Sequence, residues 1–317
     1  MGILSRVRTF STTFRHEALL YAGERGFMNG TLPFVREAVA QEEPILVAVS
    51  ARKIALLRGA LGDDADRVRF ADMARIGANP ARIIPAWSDF AAEYAGRGLR
   101  GVGEPIWAGR SATELAECHR HEALLNLAFA GTPDFWLMCP YDTDALAPDV
   151  VEEAACNHPH LREGPDDRAS PTYAGLEQIA APHGALLPEP PVGTSELAFG
   201  VRTLGTVREL VARRAAVAGL APDRCGDLVL AVNELVTNSV RHGGGRGTLR
   251  MWEEPGTIVA EVRDGGECID RPLAGRERPI AGQLDGYGLW LVNQLCDLVQ
   301  LRCTTAGNVV RAHMHAR

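Results

Sequence analysis

A glutamate and an asparagine lie one helical turn apart within the stretch LVLAVNELVTNSVRHGGG, residues 228–245. At about 100° per residue the apolar residues gather on one stripe, and Glu234 and Asn238 point roughly 150° away from its centre. A carboxylate so placed can accept the proton of a hydroxyl, and an amide oxygen beside it is a hard ligand for Mg²⁺. His242, four residues on, fits either a contact to phosphate or to a partner, or a cation at the helix end. Taken alone, such a face is an ordinary solvated surface.

Two further motifs follow within about 60 residues and change that interpretation. In VRDGG, Asp264 ends a predicted strand, and the glycines up to Gly266 let a ligand approach the backbone. In DGYGLWLV, Gly286 and Gly288 precede a predicted helix that continues with Leu289. Free amides and the positive end of the helix dipole favour phosphate there. Each motif alone is a common turn, but their order and spacing together predict a nucleotide site.

On these motifs, residues 196–315 resemble the Bergerat-fold (GHKL) ATP-binding domain of histidine kinases, Hsp90, MutL and type II topoisomerases. Within that class they are most similar to the anti-sigma-factor serine kinases of the RsbW type. The resemblance implies ATP and Mg²⁺ as cofactors, Glu234 as catalytic base, Asn238 as Mg²⁺ ligand and Asp264 as acceptor for the adenine amino group. The other ATP-binding residues that it implies are His242, Gly266, Gly286, Gly288 and Leu289.

Two positions near the expected adenine site depart from the family pattern. Cys268 stands where a glycine is common, and Asn308 follows Gly307 where a threonine is common. The segment 267–285 between the second and third motifs is expected to be a mobile lid over the nucleotide. Its arginines are Arg271, Arg276 and Arg278.

The elements that carry these motifs are predicted from periodicity. A strand opens the segment at residue 196, two helices follow, and strands with one inserted helix complete an α+β domain with a mixed sheet and helices on one face. Pro222 suits the first turn of the helix that bears Glu234.

The first half of the chain predicts a different, α/β fold. Strands at 17–21, 44–50, 67–72, 99–104 and 134–142 alternate with helices near 33–41, 51–61, 80–95 and 112–129, as in a parallel sheet covered on both faces. No strand leads into Gly-x-x-x-x-Gly-Lys-Ser/Thr, so a phosphate loop of that type is not expected. Ligands of such sheets bind at the carboxyl ends of strands. The residues that we assign to a sensory pocket are His16, Cys139, Tyr141 and Asp142.

A resemblance also covers this half. The stretches FRHEALLY, GANPARIIPAW, GEPIWAGRSATELAECHRHEALLNLAF and CPYD are similar to the MEDS domain, a sensory module of DcmR-type regulators related to RecA-like folds without the phosphate loop. The two resemblances together are those of RsbA-family anti-sigma factors. The expected domains are a sensory domain over 14–156, a Pro-rich linker over 157–195 and an ATPase domain over 196–317.

Composition limits the alternatives. A net charge of −7 argues against direct nucleic-acid binding, and the absence of a long apolar run argues against a membrane span or secretory signal, so a cytoplasmic protein is expected. Seven scattered cysteines without a Cys-x-x-Cys pair predict reduced thiols. Cys118, His119, His121 and Glu122 are too close along one predicted helix to share a metal. The pentapeptide HEALL occurs at 16–20 and again at 121–125, first in a predicted strand and then in a predicted helix.

Three functions remain open at this point. The first is an anti-sigma serine kinase that binds a sigma factor, phosphorylates a STAS-type antagonist and is gated by an unidentified small molecule at the sensory domain, with homodimerisation an option. The second is a sensor histidine kinase, which needs a helical hairpin with an acceptor histidine, whereas His158, His160 and His183 lie among prolines. The third is a protein that binds ATP without catalysis, for which a base at Glu234 has no use.

Overall fold

A sheet of seven strands forms the centre of the first unit of the chain. The strands, in the computed structural model, are β1 (Arg15–Tyr21), β2 (Ile45–Val49), β3 (Arg69–Asp72), β4 (Leu99–Gly103), β5 (Phe135–Asp142), β6 (His160–Glu163) and β7 (Asp166–Ala169). Their order is β3-β2-β4-β5-β1-β6-β7, and pairing is parallel except between β6 and β7. The structure describes residues 14–164, 166–180, 186–269, 271–279, 286–304 and 306–316.

Helices connect these strands, as expected for parallel neighbours. They are α1 (Gly23–Ala40), α2 (Ala51–Leu61), α3 (Met73–Ile76), α4 (Ile83–Glu93), α5 (Ala112–Ala128) and α6 (Pro148–Asn157), and α7 (Gly175–Ala180) follows the last strand. The first helix begins ten residues earlier than the sequence predicts. Its N-terminal turns, GERGFMNG, hold three glycines that weaken the helical pattern, yet Phe27 and, just after this stretch, Thr31 are buried, so packing outweighs local propensity.

Alternation along the strands divides the side chains of this sheet between two faces. Leu19, Val47 and Val49 join one apolar cluster with residues of α1 and α2. On the opposite face, a Cβ at Gly101 would lie 2.9 Å from the indole of Trp87, so that indole packs directly on β4. The prediction of an α/β unit with both faces covered is confirmed.

The expected linker, 157–195, contains regular structure. Residues 160–163 form β6, which pairs in parallel with β1, and 166–169 form β7. Arg162 of β6 donates to the buried Glu17 of β1, and this ion pair holds the added strands to the sheet. The sequence gives no sign of these strands because they are short, polar and flanked by prolines.

The second unit comprises Gly77–Ala86 and the chain from Ala180 onward, so a ten-residue piece of the expected sensory domain belongs to it. Its strands are β8 (Glu196–Gly200), β9 (Arg246–Glu254), β10 (Thr257–Asp264), β11 (Leu298–Thr304) and β12 (Gly307–His315). Their order is β11-β12-β10-β9-β8, and every pairing among the described residues is antiparallel. The α+β class is confirmed, but the sheet is antiparallel rather than mixed.

Three helices pack on this sheet: α8 (Leu204–Val217), α9 (Pro222–His242) and α10 (Tyr287–Leu295). The apolar stripe of α9, with Leu228, Val232, Leu235 and Val236 buried, shares one core with residues of β9, β10 and β12. The side of α9 opposite this stripe, which bears Glu234 and Asn238, is therefore not part of the apolar core. In the described part of the chain, no helix combines the length and apolarity that crossing a membrane requires.

Candidate functional site

Helix α9 presents Glu234 and Asn238 to the start of α10. A Cβ added at Gly288 would lie 3.0 Å from Glu234 Oε2 and 3.0 Å from Asn238 Nδ2, so only a glycine lets the first turn of α10 approach both groups. Gly286 caps α10 in the left-handed conformation, with φ 89°. The structure therefore brings the candidate base, the candidate metal ligand and the amide-rich end of a helix together.

The carboxylate of Asp264, at the end of β10, is the centre of a second group of contacts. Its Oδ2 accepts from Ser239 Oγ at 2.6 Å, and its Oδ1 accepts from Gly266 N and Asn308 Nδ2, each at 3.1 Å. A carboxylate has about four lone-pair sites. Three are used by these donors, and one on Oδ2 remains for an incoming amino group.

Glycines enclose this carboxylate. A Cβ at Gly243 would lie 2.5 Å from Asp264 Cγ, one at Gly266 would lie 2.6 Å from Gly243 Cα, and one at Gly307 would lie 1.9 Å from Asp264 O. Gly307 also has φ 117°, which favours glycine. These three glycines, one after α9, one after β10 and one at the start of β12, therefore allow those segments to close around Asp264.

Ser239 is a site residue that the sequence did not single out, and Asn308 was singled out only as a departure near the expected adenine site. Ser239 follows Asn238 in sequence and is buried, and a buried hydroxyl on a helix signals a polar partner. Asn308 is the cross-strand neighbour of Asp264 in the β10–β12 ladder. The departure at Asn308 from the family's threonine therefore places a second amide directly on the expected adenine acceptor.

The remaining predicted nucleotide residues differ in position. His242 is exposed at the end of α9, and Leu289 is partly buried against the core of the unit. Arg276 of the expected lid is buried. Residues 270 and 280–285 of that segment lie outside the described residues.

Cys268 and Cys303 form a disulfide, which contradicts the prediction that all cysteines are reduced. Cys303 is the cross-strand neighbour of Asn308 in β11–β12 pairing, and the backbone N–H of Ile269 donates to Asn308 Oδ1 at 3.0 Å. The two contacts tie the loop after Asp264 to the edge strand β11 and to its neighbour β12. A spacing of 35 residues gives no sequence signal for such a pair.

In the first unit, three predicted sensory residues lie on one face and the fourth does not. His16 Nε2 lies 3.4 Å from Cys139 Sγ, and the next residue on that face of β5, Tyr141, is buried. Asp142 instead accepts from Gly23 N at 3.0 Å at the start of α1. Its position one residue beyond Tyr141 turns it to the opposite face of the sheet.

Two residues that sequence reasoning did not assign to this pocket complete the group. Glu122 Oε2 lies 3.2 Å from both His16 Nε2 and His158 Nε2. Burial lowers the pKa of His16 to about 4 and raises the pKa of the Cys139 thiol well above its usual value. Of the helical set around Glu122, Cys118 donates from Sγ to Pro105 O at 3.4 Å, so Cys118 and Glu122, one helical turn apart, have different partners.

The histidines proposed for a histidine kinase are not presented by a helical hairpin. His158 is fully buried and follows α6, and His160 belongs to strand β6. His183 lies outside the described residues. The two described histidines therefore do not offer the exposed helical acceptor that this class of kinase needs.

The two halves of the chain match two families. Residues 15–159 match the MEDS family, the methanogen/methylotroph DcmR sensory domain. Residues 198–314 match the histidine kinase-like ATPase domain. The resemblances to the MEDS domain and to histidine kinase-like ATPase domains are confirmed over these two ranges of residues.

A solved structure of the RsbU and RsbW domains of Rv1364c from Mycobacterium tuberculosis is similar to this chain at 19% identity and a TM-score of 0.29. The matched region covers 38% of this chain and 32% of the solved chain, so the chain spans about a third of that chain's length. No curated protein matches the chain.

Proposed function

We propose that the second unit is an ATP- and Mg²⁺-dependent protein serine kinase that acts on a STAS-type anti-anti-sigma partner. The observation that carries the proposal is the approach of Gly288 to Glu234 and Asn238, at 3.0 Å from an added Cβ to both side chains. It places a carboxylate and an amide beside the free N–H groups of α10. The match of residues 198–314 to kinase-like ATPase domains supports the same site.

The residues present fit ATP with Mg²⁺. The enclosed Asp264 offers one acceptor site to the adenine amino group, and the start of α10 offers amides to phosphate. Asn238 Oδ1 is an oxygen ligand of the type Mg²⁺ takes together with phosphate oxygens. When bound, ATP supplies the γ-phosphoryl group and Mg²⁺ offsets its charge.

In the proposed reaction, Glu234 accepts the proton of the partner's serine hydroxyl. The serine oxygen forms a bond to the γ-phosphorus, the bond from that phosphorus to the β,γ-bridging oxygen breaks, and ADP leaves with that oxygen. Asn238 holds the metal and the α10 amides hold the phosphates in line. His242, exposed at the end of α9, is free to contact the phosphates or the partner.

The same surface would bind a sigma factor when the antagonist is phosphorylated, so that the partners exchange on one kinase domain. The first unit would sense a small molecule and shift the balance between the two bound states, which requires different ligand affinity for each. We place this cycle in the cytoplasm, with homodimerisation as a further option. No direct contact to nucleic acid or membrane is part of the proposal.

The test is transfer of labelled phosphate from ATP to candidate STAS-domain proteins. Glu234→Gln is expected to abolish acid-stable phosphoserine while leaving ATP binding within a few-fold of wild type. Glu209→Gln is the matched control, because Glu209 is exposed on α8. Phosphoserine formed equally well by Glu234→Gln would overturn the catalytic role.

Two outcomes would point to the other functions. Acid-labile phosphate on a histidine of this chain would indicate a histidine kinase. ATP-dependent sigma-factor capture that is unchanged in Glu234→Gln, with no phosphate transfer to any candidate, would indicate a binding protein that uses ATP without catalysis.

A further inference from the structure

Four different ligand groups meet within the first unit, on the face of the sheet that α5 covers. They come from β1 (His16), α5 (Glu122), β5 (Cys139) and the residue after α6 (His158), and their ligand atoms all lie within 4.8 Å of one another. All four residues are buried, with at most 1% of their surface exposed. The residues are remote in sequence, so the fold itself assembles the cluster.

The partners of the two imidazoles fix which ring nitrogen carries hydrogen. His158 Nδ1 lies 2.8 Å from Ala154 O, and because a carbonyl only accepts, Nδ1 is the donor. His16 Nδ1 lies 3.1 Å from Asn126 Oδ1, whose amide is oriented by donation from Nδ2 to Asn157 O at 2.8 Å. His16 Nδ1 is therefore also a donor.

When both imidazoles are neutral, their Nε2 atoms direct lone pairs at the Glu122 carboxylate, which is itself an acceptor. Glu122 Oε2 lies 3.2 Å from each of them, and Glu122 Oε1 has no hydrogen-bond partner among the described residues. Within the cluster, the thiol of Cys139 carries the one hydrogen that could serve these acceptors. Facing electron pairs in a buried site repel unless protons or a cation lie among them.

We propose that His16, Glu122, Cys139 and His158 bind one Zn²⁺ ion. Zinc is held by imidazole, thiolate and carboxylate in tetrahedral sites, where bonds of about 2.1 Å place ligand atoms about 3.4 Å apart. Three of the six separations here are 3.2, 3.2 and 3.4 Å, and all six are within 4.8 Å. A divalent ion with one thiolate and one carboxylate has no net charge, which suits full burial.

The surroundings resemble those of bound metals in general. Histidine ligands usually donate their second ring hydrogen to a carbonyl or carboxylate, which fixes the ring and raises its basicity. Ala154 O and Asn126 Oδ1 supply that contact here. With four protein ligands the site is closed, so the ion is structural and clamps two strands to α5 and to the end of α6.

The experiment measures metal in the full-length protein. Purified protein is expected to hold one zinc per chain by elemental mass spectrometry. After chelation and addition of Co²⁺ alone, it should show the intense visible bands of tetrahedral cobalt and a thiolate-to-cobalt charge-transfer band in the near ultraviolet.

Matched variants assign the ligands. Cys139→Ser should remove the charge-transfer band and Glu122→Gln should lower the metal content, whereas Cys156→Ser and Glu153→Gln on α6 should change neither. If the first two variants do not fold, X-ray absorption at the zinc edge of the wild type decides, with one sulfur neighbour expected among nitrogen and oxygen. Protein that retains no metal and shows no cobalt–thiolate band would overturn the proposal. Protons shared among the four side chains would then be what offsets their facing electron pairs.

Discussion

The side-chain amide of Asn308 donates to Oδ1 of Asp264 across 3.1 Å, between neighbouring strands β12 and β10. The same amide group donates to Glu267 O at 2.9 Å, and its oxygen accepts from Ile269 N. Asn308 therefore holds both the carboxylate and the loop that follows it. A residue that departs from the family pattern thus orients the expected adenine acceptor, and one acceptor site remains on Oδ2 beside the bond from Ser239.

Asp264→Asn tests that role. The variant keeps an acceptor for Gly266 N and Asn308 but turns an NH₂ group toward Ser239 and the remaining site, so it offers the adenine amino group a donor. A hydrogen bond to a charged acceptor contributes about 1.5–3 kcal/mol, and we expect ATP to bind about 10- to 100-fold more weakly. Calorimetric titration measures the change, with Asp223→Asn in the exposed first turn of α9 as control. Equal affinities for the two variants would remove Asp264 from the nucleotide site.

Gly288→Ala tests the approach of α10 to α9. The added Cβ meets the ends of the Glu234 and Asn238 side chains at 3.0 Å, and flexible side-chain ends can move, so the domain should still fold. The displaced groups are the candidate base and metal ligand, and turnover of ATP should fall by more than tenfold, about 1.4 kcal/mol in the barrier. Gly205→Ala, in α8 with open space around it, should be neutral or slightly stabilising. Steady-state kinetics and thermal melting separate the two effects, and unchanged turnover in Gly288→Ala would contradict this geometry.

Glu261→Gln tests a buried charge in the second sheet. Cross-strand register places Glu261 between Arg250 and Arg311, and it accepts from Arg311 Nε and Arg263 Nε, each at 2.6 Å. Loss of its charge leaves Arg311 buried and uncompensated, which we expect to cost about 3 kcal/mol of unfolding free energy. Urea denaturation measures this, and Glu253→Gln at the exposed end of β9 should change stability by less than about 0.5 kcal/mol. If Glu261→Gln lowered the free energy of unfolding by no more than the control does, water would already screen the Glu261–Arg311 ion pair.

Reduction of the Cys268–Cys303 disulfide tests its effect on the loop after Asp264. The bond closes a loop with a sequence separation of 35, for which chain entropy predicts roughly 3–4 kcal/mol of stabilisation. Cys303→Ser should therefore lower the melting temperature of the second unit and remove its sensitivity to reductant, whereas Cys225→Ser should remain sensitive. Calorimetry with thiol counting checks both, and a reductant-sensitive Cys303→Ser would show that another bond is responsible.

Local pattern was sufficient for much of the fold and for part of the site. The apolar stripe of α9 fixes its buried side, and so the direction of Glu234 and Asn238, by helical geometry alone. The predicted strands at 17–21 and 134–142 correspond to β1 and β5, and Cys139 lies within the second of them. In contrast, Ser239 joins Asp264 across 25 positions and Glu122 joins His16 across 106. Contacts of that separation depend on strand order and helix packing, which a single sequence does not encode locally.

The two copies of HEALL show that the same five residues make different contacts when they lie in different elements of the fold. In β1 the pentapeptide turns His16 toward the metal-ligand cluster and Glu17 toward Arg15 and Arg162, whereas in α5 the glutamate, Glu122, enters that cluster. The first copy of the pentapeptide thus contributes its histidine to the cluster, and the second copy contributes its glutamate. A sequence search that treats each His-Glu pair as one site would predict two sites. In the structure, His16 from the first copy and Glu122 from the second belong to a single cluster.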